Sequence, residues 1–164
     1  MNNIKENPYG KYNGNELDYV LEVLDSENME RKSNPYVNRF EKKFGEVFQS
    51  KYSIAHNSGT STLHSCLFAL GVRKGDEVIS PAHTVIMNSF VTLHVGALPV
   101  YVDIDSDTFN MCPIDLEKKI TDKTKAIQVV HMHGNPSDMV EIMRIAKKHN
   151  IPVIEALFDY YLQD

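Results

Sequence analysis

The sequence predicts an α/β sandwich around a largely parallel sheet, and three observations carry that reading. Helically spaced segments and short apolar segments alternate about every twenty to thirty residues. The apolar segments are continuous runs rather than alternating ones, as expected of strands covered on both faces. No short repeat or low-complexity tract competes with that order.

Residues 1 to about 34 are polar, carry one weak helical pattern in Leu17, Val20, Leu21 and Leu24, and end in Ser33-Asn34-Pro35. They read as an N-terminal arm, with residues 35–164 as the body of the domain. Val37, Phe40, Phe44 and Phe48 then recur at helical spacing, and "YSIAH" reads as a short strand ending at Asn57-Ser58. The next helix carries Leu63, Leu67 and Leu70 on one side, with Gly71 suited to its C-terminal cap. "KGDEVIS" is turn then strand, and a helical segment from about Thr84 to Val95 closes at Gly96. "LPVYVDID" is a strand rich in β-branched residues. Pro113 opens a helix through Lys119, "KAIQVVH" is a strand, and "PSDMVEIMRIAKKHN" is a helix with Pro136 and Ser137 at its start and basic residues in its last turn. "IPVIEA" is the final strand.

With 164 residues, 42% hydrophobic and 24% charged, the composition is that of a soluble globular domain able to bury a core. The net charge of −5, with 17 Lys and Arg spread along the chain, gives no electrostatic footprint for nucleic acid. The polar N-terminal stretch lacks the apolar core of a signal peptide, and no apolar run reaches bilayer length. Cys66 and Cys112 lack metal or redox spacing. A cytoplasmic protein is the expectation.

In parallel sheets ligands bind beyond the carboxyl ends of the strands. The polar residues that collect there are Ser58 to Ser61, Ala82-His83-Thr84, Asp103 and Asp105, His131 to Asn135, and Glu155. Ser58-Gly59-Thr60-Ser61 has two readings. It is an ordinary N-cap, or a phosphate cradle in which Gly59 admits the ligand and the first amides of the helix meet it. Neither the G-x-G-x-x-G fingerprint nor a P-loop lysine accompanies it. His131-Met132-His133 would put both imidazoles on one face of a continued strand, yet no third ligand follows at a metal-site spacing, so they read as loop histidines. Asp103 and Asp105 read as a strand end entering a turn. His83 either stacks on a planar ligand or fills the core edge, and His56 and His64 carry no signal beyond their pattern. No serine elbow or Cys-His arrangement marks a nucleophile.

The blocks "NPYVNRFEKKFGEVFQSKYSIAHNSGTSTLHSCLFALGVRKGDEVISPAHT", "GALPVYVDIDSDTFN" and "ITDKTKAIQVVHMHGNPSDMVEIMRIAKKHNIPVIE" occur in order from about Asn34 to Glu155. In that string the chain resembles the DegT/DnrJ/StrS family of sugar aminotransferases, the perosamine-synthase-like enzymes. The resemblance implies the large domain of the type I aminotransferase fold, represented by its N-terminal part, with the rest of that domain and the small domain missing. It implies pyridoxal 5′-phosphate (PLP) as cofactor, and transfer of an amino group from glutamate to the keto carbon of a nucleotide-linked sugar for polysaccharide biosynthesis. The expected assembly is a homodimer or a pairing with a complementing C-terminal fragment. Gly59 and Thr60 would hold the cofactor phosphate, and Val85 would face the pyridine ring.

Three positions depart from the family pattern. Val85 replaces a frequent aromatic residue, and His133 stands where Tyr is common. Glu155 is followed by Ala156 instead of the Asp that pairs with the ring nitrogen, which leaves Asp159 as a candidate substitute. The Schiff-base lysine lies farther downstream in the family, while Lys51 and Lys125 read as surface residues. No catalytic residue is therefore assigned within these 164 residues. The alternative expectation is a non-catalytic derivative that binds phosphate or pairs with a full-length relative.

Overall fold

The computed structural model describes residues 14–25 and 34–157, in two compact units, Met1–Ala55 and His56–Asp164. The first holds α1 (Glu16–Asp25) and α2 (Pro35–Val47). Asn34 starts α2 because its backbone is extended and its Oδ1 accepts the amides of Tyr36 and Val37 at 3.0 and 3.4 Å, while Pro35 needs no amide partner. The rings of Phe40, Phe44 and Phe48 follow one another along the helix, with centroids 6.0 and 4.3 Å apart. The Tyr36 hydroxyl donates to Glu22 at 2.7 Å and joins the two helices, and this bond to a carboxylate pushes the phenol pKa up.

The strand expected at "YSIAH" is absent, since residues 52–56 are irregular. Residues of high strand propensity form a strand only where a neighbour completes the ladder. Here the Ala55 amide is taken by the Glu41 side chain at 2.8 Å, and the side chains of Tyr52 and Ile54 are exposed.

The second unit runs α3 (Gly59–Ala69), β1 (Glu77–Pro81), α4 (Met87–His94), β2 (Leu98–Val102), α5 (Pro113–Lys119), β3 (Thr124–His131), α6 (Met139–His149) and β4 (Val153–Leu157). The four strands pair in the order β2-β1-β3-β4, all parallel. Alternate residues of the buried strands point to opposite faces, so two cores form. Val78, Ala126, Val130, Ile154 and Ala156 meet Leu63 and Leu67 of α3 and Val91 of α4 on one face. Ile79, Val102, Ile127 and Val129 meet Leu116 of α5 and Ile142, Ile145 and Ala146 of α6 on the other. That is the expected α/β/α sandwich.

Helix boundaries follow local chemistry. After α3, Gly71 adopts φ +70° and the Val72 amide returns to the Leu67 carbonyl at 3.1 Å. α4 begins at Met87 rather than near Thr84, because residues 82–86 form the loop leaving β1. α6 begins at Met139 and not at Pro136. Asp138 caps it by accepting the Glu141 amide at 3.1 Å, while the Ser137 hydroxyl is committed to the Val130 carbonyl. Lys148 and Arg144 of α6 both reach Glu117 of α5, and the Lys148 bond holds the Glu117 carboxyl below the usual range.

Candidate functional site

The chain leaves β1 through α4 to β2 on one side, then returns past β1 to β3 on the other. The strand order therefore reverses beside β1, and the carboxyl ends of β1 and β3 flank the crevice where open α/β sheets bind ligands. Three loops reach this rim: 82–86 after β1, 103–112 after β2 and 132–138 after β3.

Asn110 joins two of them. Its side chain is buried, with Oδ1 accepting the Met132 amide at 3.0 Å and Nδ2 donating to the Asn135 carbonyl at 3.0 Å. Asn135 Nδ2 donates in return to the Thr108 carbonyl at 3.2 Å. The preceding loop is shaped by Asp105, whose Oδ1 accepts the amides of Asp107 and Thr108 and the Thr108 hydroxyl; these bonds hold the Asp105 carboxyl below the usual aspartate range. Asp103 accepts the Ile104 amide. Both aspartates thus shape the turn, as expected of a strand end. Asn110 was not legible as a clamp, because an Asn in a polar turn run signals only the turn itself.

His131 and His133 do not share a face. β3 ends at His131, which is buried, and the chain turns through a 3₁₀ segment, Met132–Gly134, in which His133 takes φ +53° and is exposed. His131 Nδ1 accepts the Ser137 amide at 3.0 Å and Nε2 lies 3.1 Å from Glu155 Oε1. His133 instead meets His83, with ring centroids 6.5 Å apart, and His83 meets Phe109 at 6.3 Å. The rim therefore gathers His83, Phe109 and His133. Phe109 is a residue that its sequence position did not single out.

The start of α3 supplies a second feature. Ser58 is extended, and its Oγ accepts the Ser61 amide at 3.2 Å. The Ser61 hydroxyl donates to Asn57 Oδ1 at 2.6 Å. Among the described residues no protein oxygen accepts the amides of Gly59 or Thr60. A Cβ placed on Gly59 would meet nothing within 4 Å, and Gly59 itself is exposed. The N-cap reading of Ser58 is thus correct and leaves two amides unused at the positive end of the helix dipole. Val85 lies exposed in the loop after β1, just ahead of α4. Lys51 and Lys125 are exposed. Cys66 is half-buried, and burial pushes its thiol pKa up, away from nucleophilic use.

Among the described residues no group of three or more His, Cys, Asp and Glu is placed to hold a metal, and no helix is long and apolar enough to cross a membrane. Ala156 packs into the α3-side core at 8% exposure, and Asp159 lies outside the described residues.

The chain is 45% identical over 142 residues to the GDP-perosamine synthase of Escherichia coli O157:H7, covering 87% of this chain and 39% of that protein. Its fold superposes on 3-amino-5-hydroxybenzoic acid synthase with a TM-score of 0.86 at 32% identity, covering 88% of this chain and 38% of the other. It also superposes on a GDP-4-keto-6-deoxymannose-3-dehydratase carrying a trapped PLP-glutamate geminal diamine, with a TM-score of 0.79 at 31% identity over 88% of this chain and 39% of that one. The chain thus spans about two fifths of the length of the relatives it matches. The DegT/DnrJ/EryC1/StrS aminotransferase model matches residues 11–156, so the parallel sheet, its rim and the open helix start are those of a member of that family, whose cofactor is pyridoxal phosphate.

Proposed function

We propose that this chain provides the cofactor-phosphate half of a PLP-dependent sugar aminotransferase, which moves an amino group from glutamate to the keto carbon of a nucleotide-linked sugar. Residues 1–34 act as an arm and residues 35–164 as part of the cofactor-binding domain. The observation that carries this reading is the pair of unused amides at Gly59 and Thr60, at the start of an 11-residue helix. Such donors suit a phosphate dianion, and the helix dipole adds roughly 0.3 to 2 kcal/mol.

The residues fit the cofactor's phosphate end. Gly59 and Thr60 would donate to the phosphate oxygens, Ser58 would keep the helix start in shape, and Val85 would offer an aliphatic surface to the ring. Bound PLP supplies the electron sink for amino-group chemistry. The ring-nitrogen end does not fit, because Ala156 has no carboxylate to hold a proton there and its side chain is turned into the core. That mismatch favours a second reading, a non-catalytic derivative that binds phosphate or pairs with a longer relative. The homodimer, the complementing partner and a cytoplasmic location belong to the first proposal.

The test is a titration of the isotopically labelled chain with PLP, followed through the backbone amides. Selective shifts at Gly59 and Thr60 support the phosphate site, and unmoved amides reject it. Supplying the remaining domain of a relative as a separate chain then distinguishes the two readings. Glutamate-dependent amination of a keto sugar nucleotide supports the enzyme, and phosphate binding without amination supports the derivative.

A further inference from the structure

We propose that His83, Phe109 and His133 form a recognition site for a nucleobase, the base of the nucleotide-linked sugar; this rests on the aminotransferase reading above. The three rings come from three different loops at one rim. His83 leaves β1 and His133 leaves β3, the two strands that flank the reversal in strand order, and their centroids lie 6.5 Å apart. Phe109, from the loop after β2, lies 6.3 Å from His83 and is 52% exposed. All three side chains face solvent, and among the described residues neither imidazole has a hydrogen-bond partner.

This arrangement is imposed on the chain. Phe109 and His133 both hold positive φ, +60° and +53°, a region that penalises residues with a Cβ and is found where the surroundings enforce it. The enforcing element is buried Asn110, next to Phe109, which ties the Phe109 loop to the His133 loop through Met132 and Asn135. The backbone is therefore strained on both sides of a clamp, with the outcome that two aromatic rings stand exposed beside a third.

Charge selects the ligand class. The loops 82–86, 103–112 and 132–138 contain no Lys or Arg but carry Asp103, Asp105, Asp107 and Asp138. These loops offer no cation to a phosphate, whereas a neutral planar base suits aromatic faces and imidazole edges. Stacking on exposed aromatic rings is a general mode of base recognition. The phosphate-competent amides belong to another element, the start of α3, so base and cofactor do not use one set of groups.

The test uses the full chain, isotopically labelled, with GDP as probe and ribose 5-phosphate as the base-free control. GDP is expected to shift the ring resonances of His83, Phe109 and His133 together and saturably, with no matching shifts from ribose 5-phosphate. Phe109→Gly removes the ring while suiting the positive φ, so the thermal midpoint should hold, and GDP binding should weaken by about tenfold. Rings unmoved by GDP, equal shifts from ribose 5-phosphate, or unchanged GDP affinity in Phe109→Gly would each overturn the assignment. A parallel PLP titration separates the two ideas. PLP shifts at Gly59 and Thr60 without ring shifts from GDP remove the base site alone, and unmoved amides with PLP reject the aminotransferase reading itself.

Discussion

His131 and Glu155 lie side by side on neighbouring strands, with Nε2 and Oε1 3.1 Å apart, while His131 Nδ1 accepts the Ser137 amide at 3.0 Å. A nitrogen that accepts an N–H bond carries no proton, so the imidazole is held as the neutral Nε2–H tautomer and donates to the carboxylate. Nitrogen-15 spectra of the side chain are expected to report that tautomer, and Glu155→Gln should preserve it because the amide oxygen still accepts. His131→Ala should destabilise the protein by about 1–3 kcal/mol in urea unfolding, since it strands the buried Ser137 amide. A neutral Nδ1–H tautomer would contradict the arrangement.

The start of α3 separates folding from binding. Ser58→Ala removes the acceptor of the Ser61 amide and should cost about 1 kcal/mol. Gly59→Leu places its side chain in open space, so stability should change by no more than about 0.5 kcal/mol. The same substitution should weaken PLP binding by about tenfold or more, because it obstructs approach to charge-assisted donors. Unfolding curves paired with PLP titrations check both halves.

Gln128 is fully buried in β3, and neither its Oε1 nor its Nε2 has a protein partner. Two unmade hydrogen bonds in an apolar layer are costly, and Met fills a similar volume without them. Gln128→Met is expected to raise stability by about 1–2 kcal/mol in urea unfolding. A loss of stability would show that the amide is satisfied in solution.

Asp105 governs the acid response of its loop. Its folded pKa is lowered, chiefly by the Thr108 amide, so the stabilisation is complete above the unfolded aspartate value of about 3.9 and is lost as pH falls through the depressed folded value. Amide exchange at Asp107 and Thr108 should therefore be pH-insensitive in protection above about pH 5 and lose protection on further acidification. Asp105→Asn should remove that acid transition.

Gln49 ends the first unit's helix turn at φ +51°, a conformation that costs residues with a Cβ roughly 1–2 kcal/mol. Gln49→Gly should relieve part of this strain. A rise in stability of up to about 1 kcal/mol is expected, reduced by the greater unfolded-state entropy of glycine.

Most of the fold was legible because its signals are local. Gly71 after Leu70 and the unbroken apolar runs of β1 and β3 each act through their own backbone conformation or face burial, and each stands where the sequence placed it. Two of the failures share a cause. "YSIAH" has the composition of a strand, but a strand needs a partner, and the Glu41 side chain takes the Ala55 amide. His131 and His133 share an alternate-residue spacing, but that spacing means one face only while the strand lasts, and the 3₁₀ turn ends it.

By itself the sequence determined the alternating order of helices and strands, the Gly71 cap, the family and the glycine-containing step at Ser58 to Ser61, since all depend on residues near one another in the chain, while the structure showed that step to leave two amides unused. Only the tertiary structure decided which distant residues meet: His131 with Glu155, Asn110 with Met132 and Asn135, and His83 with Phe109 and His133. The physical reason is the strand order β2-β1-β3-β4, set by pairing between segments far apart in the chain, which brings three separate loops to one rim.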